Sequence, residues 1–340
     1  MMTVATATSV TAAATAPTTE QALLLAAQDG DERAYTRLIE PRRRELHAHC
    51  YRMLGSVHDA DDALLETLLR AWRGLPRFAG RSSLRTWLHT IAHNACLAVI
   101  ERQPRLALPV HHGPVESVWV EPYPDELGAG REAPAARYER RESVELAFTA
   151  AVLLLPPNQR AALIMRDVLG FSAPETAAAS ATTVASVTSA LQRARTSIEA
   201  RRPARSQQVS LRQLGDAGVR RLVDAYVDAW ERGDPAAILA LLADDATFSM
   251  PPGANWYQGH ADIAAFLQIG PLTEDWRLVP AAASGQLAFG SYRWNPSHGR
   301  YVGHSIDVID VAGDRITAIT AFLDADLLAR FRLPPALATR

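Results

Sequence analysis

The sequence predicts a multidomain protein in which two all-α helical units precede a C-terminal α+β unit. Apolar residues recur at helical spacing through residues 20–105 and again through residues 138–203. Residues 106–137, between these units, are rich in proline and glycine, which is typical of a linker. Beyond residue 217, helical segments give way to strands joined by turn residues, and this order is typical of an α+β domain.

Composition limits the kind of protein this can be. The 340 residues are 48% hydrophobic and 21% charged, as expected of a globular chain with two or three domains. The formal net charge of −2 is uneven, with +2 over residues 1–205 and −4 over residues 206–340. Cys50 and Cys96 show neither metal-ligand spacing nor a disulfide framework, so we expect a reducing cytoplasm, no metal and no cofactor.

The N-terminal residues 1–19 are rich in alanine and threonine, and they lack the positive charge and apolar core of a secretory signal. We expect this segment to be a disordered tail. No later stretch approaches the roughly 18 uninterrupted apolar residues of a membrane span, so we predict no membrane partner.

The most informative stretch is residues 57–105, where two predicted helices flank a basic, aromatic loop. The second helix begins after Ser82 and Ser83, which are favourable N-cap residues. Residues 66–105 contain seven Arg and two Glu, a local charge of +5 that suits a polyanion. Aromatic groups among arginines suit unpaired bases, because any base can stack on an aromatic ring. The alternative from pattern alone is an amphipathic helix pair with its tryptophans in the core.

Two strings in this stretch carry a resemblance to a known family. They are D-A-D-D-A-x-x-E-T-x-x-R-A-W at residues 59–72 and F-x-G-R-S-S-L-R-T-W-L-x-x-I-A-x-N at residues 78–94. They resemble region 2 of extracytoplasmic-function (ECF) sigma-70 factors, the promoter-recognition subunits of bacterial RNA polymerase. The resemblance implies that the first helix contacts the polymerase clamp. It also implies that the loop captures an unstacked base of the −10 element and that the second helix contacts the strand.

Site residues follow from this resemblance, position by position. The residues assigned to the core polymerase are Asp62, Glu66 and Arg70. The residues assigned to −10 DNA are Phe78, Arg81, Ser83, Arg85, His89 and Asn94.

The linker contains one aromatic and acidic string, W-V-E-P-Y-P-D at residues 119–125. It is similar to a linker motif of those sigma factors that bear a C-terminal extension. Large aromatic groups in a polar stretch usually mark a contact, so we predict that Trp119, Tyr123 and Asp125 mediate interdomain contacts.

The second helical unit, residues 138–203, predicts a helix-turn-helix, with Gly170 ending one helix and Ser172 capping the next. Any three-helix bundle could show this pattern. The stronger signal is L-P-P-x-Q-R-A-x-L-I-x-R-D-V-L-G-F-S at residues 155–172, with S-A-L-Q-R-A-R at residues 189–195. These strings resemble sigma region 4, which reads the −35 element and binds the polymerase flap. The outward residues assigned to −35 DNA are Ser186, Thr188, Ser189, Gln192, Arg193 and Arg195.

A polar connector at residues 204–216 leads to the last unit, residues 217–335. Its strings D-A-W-E-R-G-D, L-L-A-D-D-A-T-F-S-M-P-P, W-Y-Q-G and F-L-D resemble a SnoaL-like domain. The resemblance implies a curled sheet closed by helices into a cone-shaped barrel, around an apolar pocket for an unidentified small ligand. The residues that we expect to line the pocket are Trp256, Tyr257, Phe289, Tyr292 and His304.

Acid–base candidates in this unit are His260, Asp262, His304, Asp307 and Asp324. Regular strand alternation places His304 and Asp307 on opposite faces, which excludes a dyad from that strand alone. The basic loop and the region 4 strings, through their resemblance to sigma factors, lead us to predict a transcription initiation factor and not an enzyme. It would bind core RNA polymerase, direct it to −35 and −10 elements and melt the −10 region, with its tail modulating activity in cis. The alternative is a small-molecule-binding or isomerase/cyclase-like SnoaL enzyme with a vestigial DNA-binding front.

Overall fold

The computed structural model describes residues 19–102, 120–125, 145–200, 206–251, 253 and 255–338. The predicted disordered tail, except its last residue, and the linker residue Trp119 lie outside this set. No helix within the described ranges is long and apolar enough to cross a membrane.

The first helical domain contains α1 (Thr19–Gln28), α2 (Glu32–Leu54), α3 (Val57–Gly74) and α4 (Leu84–Arg102). Gly55 ends α2 in the left-handed conformation, with φ of 71°, and Ser56 then caps α3 by accepting from the Asp59 N–H. A short 3-10 turn, Leu75–Arg77, starts the loop between α3 and α4. The chain therefore reverses direction within two residues at Gly55, and α2, α3 and α4 bury their apolar faces in one core.

The second helical domain contains α5 (Leu146–Leu153), α6 (Pro157–Leu163), α7 (Ala173–Ala179) and α8 (Val184–Glu199). A π-helical turn, Ile164–Val168, continues α6 before Gly170 reverses the chain. Ser172 and Glu175 form a capping box on α7, and Thr183 caps α8. Helices α7 and α8 are the predicted helix-turn-helix, and the core of this domain is continuous with that of the first.

The C-terminal domain combines helices with one mixed sheet. Its helices are α9 (Gln207–Glu231, bent at Gly215), α10 (Pro235–Leu241), α11 (Gly259–Ile269) and α12 (Leu327–Arg330). Its strands are β1 (Leu242–Ser249), β2 (Trp256–Gln258), β3 (Trp276–Ala283), β4 (Gln286–Asn295), β5 (Arg300–Ala312), β6 (Arg315–Phe322) and β7 (Ala336–Leu337). The sheet order is β2-β1-β6-β5-β4-β3, with β7 on β5 and only the β1–β6 pair parallel among the described pairs. The α+β class is confirmed, although the sheet stays open at β2 and β3 and is not a closed barrel.

The sheet separates two apolar clusters. The first lies against α9, α10 and α11 and includes Tyr226, Trp230 and Phe289, whereas the second lies against α12 and includes Tyr292 and Val308. Strand residues alternate between the two clusters, as a pleated strand requires.

A β-bulge breaks this alternation in β5. Ser291 pairs with Ser305, but the next residue, Tyr292, pairs with Gly303, so that His304 is the extra residue. The His304 ring lies 5.2 Å from the ring of Trp276, which belongs to the first cluster. The expectation that His304 and Asp307 lie on opposite faces is therefore wrong, because it assumed an unbroken strand.

Candidate polymerase and nucleic-acid interfaces

The outward face of α3 carries the three residues assigned to the polymerase. Glu66 and Arg70 form an i,i+4 ion pair with an N–O distance of 2.6 Å, and Asp62 lies one turn before Glu66. Beside them, Leu65 and Leu69 are 59% and 43% exposed. Exposed leucines next to charged groups are typical of a protein-binding surface.

The loop between α3 and α4 is fixed at its start and open at its tip. The Phe78 ring is half-buried and lies 4.9 Å from the Trp87 ring. Gln28 of α1 donates hydrogen bonds to the carbonyls of Leu75 and Phe78, at 3.2 and 2.9 Å. The predicted base-capture residues that remain exposed are Arg81 and Ser83.

The DNA-assigned face of α4 is partly covered by the helix-turn-helix domain. The Arg85 guanidinium pairs with Glu45, donates to the Leu169 carbonyl at 2.8 Å and lies 4.5 Å from the centre of the Phe171 ring. One residue along the helix, the Thr86 hydroxyl donates to Glu175 of α7 at 3.0 Å. The Arg85 guanidinium is therefore bound by protein groups, and DNA could contact it only by replacing them.

His89 is also covered. It is 1% exposed, and its ring lies 5.1 Å from that of Phe171. Burial lowers the pKa of His89, because a charged imidazole is poorly solvated there. In this arrangement His89 does not face solvent as its assignment to DNA requires, whereas Asn94 on the same helix is exposed.

The recognition helix α8 presents its assigned residues to solvent. Val187 and Leu191 face the core, and Thr183 holds the first turn through a hydrogen bond from the Ser186 N–H. Arg195 is exposed and makes two hydrogen bonds to Asp167, at 2.7 and 2.9 Å. The exposed residues of this face are Ser186, Thr188, Ser189, Gln192, Arg193 and Arg195.

The linker string binds the first helical domain through Glu121, which sequence reasoning did not select. The Glu121 carboxylate accepts from the Ser56 hydroxyl at 3.0 Å and from the Val57 N–H at 2.7 Å. Its backbone N–H donates to Gly55, and its carbonyl accepts from Tyr51. A carboxylate at the first turn of α3 satisfies free N–H groups and opposes the positive end of the helix dipole.

The same string binds the C-terminal domain through the turn between β3 and β4. Tyr123 and Ser284 exchange two hydrogen bonds, one from each backbone N–H, at 2.9 and 2.6 Å. The Asp125 carboxylate accepts from the Gly285 N–H at 2.7 Å. The predicted interdomain contacts of Tyr123 and Asp125 are therefore present, while Trp119 lies outside the described residues.

A chain of side chains ties the linker, α3 and α12 together. The Tyr123 hydroxyl is 2.9 Å from His47 Nδ1, and His47 Nε2 is 3.1 Å from Asp61. Arg330 of α12 donates to the other oxygen of Asp61 at 2.6 Å. Burial lowers the pKa of His47, and in its neutral form Nε2–H donates to Asp61 while Nδ1 accepts from Tyr123.

The residues predicted to line a pocket do not share one face of the sheet. Tyr257 stacks on Phe266, with ring centres 4.3 Å apart, and Phe289 and His304 also face the first cluster. Trp256 is half-buried on β2. Tyr292 belongs to the second cluster, where its hydroxyl donates to the Pro334 carbonyl at 2.9 Å. Its assignment to the pocket is corrected, because the pleat turns it toward α12. Of the acid–base candidates, Asp262 and Asp324 are exposed.

Comparisons with known proteins agree with this architecture. The family model for Sigma-70 region 2 matches residues 38–105, the model for Sigma-70 region 4 matches residues 145–198, and the SnoaL-like domain matches residues 223–319. ECF RNA polymerase sigma factor SigG of Mycobacterium tuberculosis is 41% identical over 324 residues, which cover 91% of this chain and 85% of SigG.

Two further proteins have lower sequence identity to this chain. SigM of the same organism is 32% identical over 155 residues, covering 46% of this chain and 70% of SigM. The crystal structure of the M. tuberculosis ECF sigma factor SigJ superimposes with a TM-score of 0.58 at 21% identity, covering 87% of this chain and 99% of that one, and it supports the fold. Sigma factors are initiation factors and not enzymes. The chain therefore belongs to the ECF sigma-70 family, as a transcription initiation factor that binds RNA polymerase core and promoter DNA and carries a C-terminal SnoaL-like domain.

Proposed function

We propose that this sigma factor is held in a closed state by its own SnoaL-like tail, and that promoter opening requires the helix-turn-helix domain to leave α4. The observation that carries the proposal is the position of Arg85, a residue assigned to −10 DNA. Its guanidinium binds the Leu169 carbonyl and the Phe171 ring of the second helical domain. A factor that works with RNA polymerase acts in the cytoplasm, where the chromosome is.

Promoter geometry supports the separation of the helix-turn-helix domain from α4. Elements named −35 and −10 lie roughly 25 base pairs apart, which is about 85 Å at 3.4 Å per pair. The two helical domains are in direct contact, for example through Thr86 and Glu175 at 3.0 Å. Two contacting small domains cannot span that length, so binding both elements requires separation.

The tail opposes separation by binding both the linker string and the start of the second helical domain. Asp125 binds Gly285, and Leu146 donates to the side chain of the next residue, Gln286, at 2.9 Å. Glu145 accepts from the Gln208 N–H of α9 at 3.0 Å. Asp125 and Leu146 therefore bind two consecutive residues, Gly285 and Gln286, and this contact holds the start of the second helical domain close to the linker string.

Within the open state, the assigned residues take their family roles in this proposal. The outward face of α3 binds the clamp, and the second helical domain binds the flap. Phe78 and Arg81 hold an unstacked base of the melted −10 region, and α8 reads the −35 element. Stacking of one base on an aromatic ring contributes about 1–3 kcal/mol.

The test uses the full chain and its variants. Asp125→Ala combined with Glu145→Ala should loosen both attachments to the tail, and it should increase transcription with core polymerase from a cognate promoter. Asp262→Ala, an exposed carboxylate on the tail, is the matched control. Unchanged transcription in the double variant would contradict closure by the tail. Failure of the wild-type chain to bind core polymerase would contradict the sigma-factor assignment itself.

A further inference from the structure

Three histidines meet inside the first helical domain, close to its contact with the helix-turn-helix domain. His89 and His93 are one turn apart on α4 and therefore share a face of that helix. His49 of α2 lies across from them, with its ring 5.5 Å from the ring of His89. His49 is 0% exposed, and the other two are 1% exposed. Histidine is the side chain that ordinarily changes charge near neutral pH, so this cluster makes the domain contact sensitive to protons.

The hydrogen bonds of His89 determine where a further proton would go. Nδ1 lies 2.9 Å from the Arg85 carbonyl, and a carbonyl only accepts, so Nδ1 carries the hydrogen of the neutral ring. Nε2 makes no hydrogen bond with any residue that the structure describes. A second proton on Nε2 would therefore create a buried, charged group whose new N–H has no acceptor, and this is costly.

The other two histidines are in the same condition. Both ring nitrogens of His49 and Nδ1 of His93 are buried without a hydrogen-bond partner among the described residues. Burial lowers the pKa of all three histidines, that of His93 to about 4. A charge on His89 or His93 would lower the pKa of His49 further. All three rings are therefore neutral at pH 7 in this arrangement.

The charged groups that act on His89 come from α2 and α4. Glu45 of α2 favours the charged ring, whereas Arg85 of α4 and Arg52 of α2 disfavour it. From the other domain, the Glu175 carboxylate of α7 interacts with Arg85. Burial outweighs the attraction of Glu45, and the pKa of His89 stays below its ordinary value of 6.5.

The side chain that covers His89 is Phe171, which lies just before α7 in the second helical domain. The two rings are 5.1 Å apart. Phe171 also contacts the Arg85 guanidinium, at 4.5 Å from the ring centre. A charged His89 would place a second cation beside the same ring, where the two cations repel each other.

We propose that acid opens the contact between the helix-turn-helix domain and α4, with His89 as the group that takes up the proton. The inference rests on the closed state proposed above and names what regulates it. The closed state holds His89 neutral under Phe171. In the open state water reaches Nε2, and the ring takes up a proton below its ordinary pKa of 6.5. The closed state is therefore most stable above pH 6.5 and loses stability as the pH falls below that value.

Energy transfer between two dyes on the full chain tests this proposal. Cysteines in place of exposed Arg73 on α3 and exposed Glu199 on α8 carry the dyes. A single histidine with an open-state pKa near 6.5 should shift the closed–open ratio about tenfold toward the open state between pH 7.5 and pH 5.5. Transfer efficiency should therefore fall over this range, while far-UV circular dichroism stays constant because the helices remain folded.

Two variants remove the proton site. His89→Phe keeps a flat ring against Phe171, and His89→Asn keeps a donor for the Arg85 carbonyl. In both, transfer efficiency should be the same at pH 7.5 and pH 5.5. The matched control is His298→Asn, which removes an exposed histidine from the turn between β4 and β5 and should respond to acid as the wild type does.

The outcomes that overturn the proposal are distinct. Unchanged transfer in the wild type at pH 5.5 would show that acid does not open the contact. An equal fall in His89→Phe would assign the response to other groups, such as His47 and Asp310 at the contacts of the tail. Phe171→Ala at pH 7.5 separates these failures from failure of the closed state. Lower transfer in Phe171→Ala without an acid response of the wild type refutes the histidine switch alone, whereas equal transfer in Phe171→Ala and the wild type refutes the closed state as well.

Discussion

Phe171→Ala should open the closed state without removing any group assigned to DNA. The Phe171 ring lies under the Arg85 guanidinium at 4.5 Å and against the His89 ring at 5.1 Å. A cation–π contact of this kind contributes about 0.5–2 kcal/mol, and an aromatic pair about 0.5–1.5 kcal/mol. Their loss should therefore shift the closed–open equilibrium by about 1–3 kcal/mol, which is roughly a 5- to 150-fold change.

Energy transfer between two dyes would measure this opening. Arg73 on α3 and Glu199 on α8 are exposed, so cysteines at these positions can carry the dyes, whereas the native Cys50 and Cys96 are buried. We expect lower transfer efficiency in Phe171→Ala than in the wild type, together with tighter binding to promoter DNA in the presence of core polymerase.

Loss of a core side chain could also weaken the second helical domain as a whole, and a control variant separates this effect. Ile198→Ala removes a buried side chain from α8, whose helix packs on α6 and α7. It should lower the thermal midpoint without lowering transfer efficiency at 25 °C. Equal transfer efficiency in folded Phe171→Ala and in the wild type would refute the reasoning.

Three further predictions concern single side chains. Glu121→Gln should lower the free energy of unfolding by about 1 kcal/mol, because it replaces the carboxylate at the start of α3 with a neutral amide. Urea denaturation measures this change. Phe78→Ala should reduce permanganate reactivity of the −10 region while leaving core binding unchanged, and equal loss of both would contradict the role of the loop. Burial raises the pKa of Asp307 to about 6 in the folded protein, above the ordinary value near 4. Between pH 4 and pH 6 the folded protein therefore holds a proton on Asp307 that the unfolded chain has lost. Its contribution therefore favours the fold below pH 4 and is lost as the pH rises through 6, by about 1 kcal/mol between pH 5 and 7. Buried histidines change stability with pH in the opposite direction. The quantity to measure is therefore the pH-dependent change in the free energy of unfolding of the wild type minus that of Asp307→Asn, and a difference of zero would contradict the prediction.

Local features of this protein could be predicted from its sequence because they depend on neighbouring residues. The helix-turn-helix follows from Gly170, the Ser172 cap and the apolar spacing of α8, and the family strings carry the assignment of α3, α4 and α8. The Tyr123 and Asp125 contacts were predicted because an aromatic and acidic string stands out within a proline-rich linker.

Other features depend on residues far apart in the chain. The ion pair of Asp61 with Arg330 joins positions 269 residues apart, and no local pattern signals it. A single extra residue in β5 moved His304 to the other face, and an alternation rule cannot locate such a bulge. The burial of His89 depends on a second domain, so a family role alone cannot predict it.

Under the proposal, closure and promoter binding are thermodynamically linked through Arg85. The helix-turn-helix domain covers the Arg85 guanidinium in the closed state, so the closed and DNA-bound states exclude each other. Any change that stabilises the closed state by a given free energy must weaken binding to promoter DNA by the same amount. The α3 face with Leu65 and Leu69 remains exposed in the closed state. If polymerase binds at α3, as proposed, its binding does not compete with closure at Arg85, and the two steps are separable in measurement. Core affinity should be similar in wild type and Phe171→Ala, while promoter affinity differs.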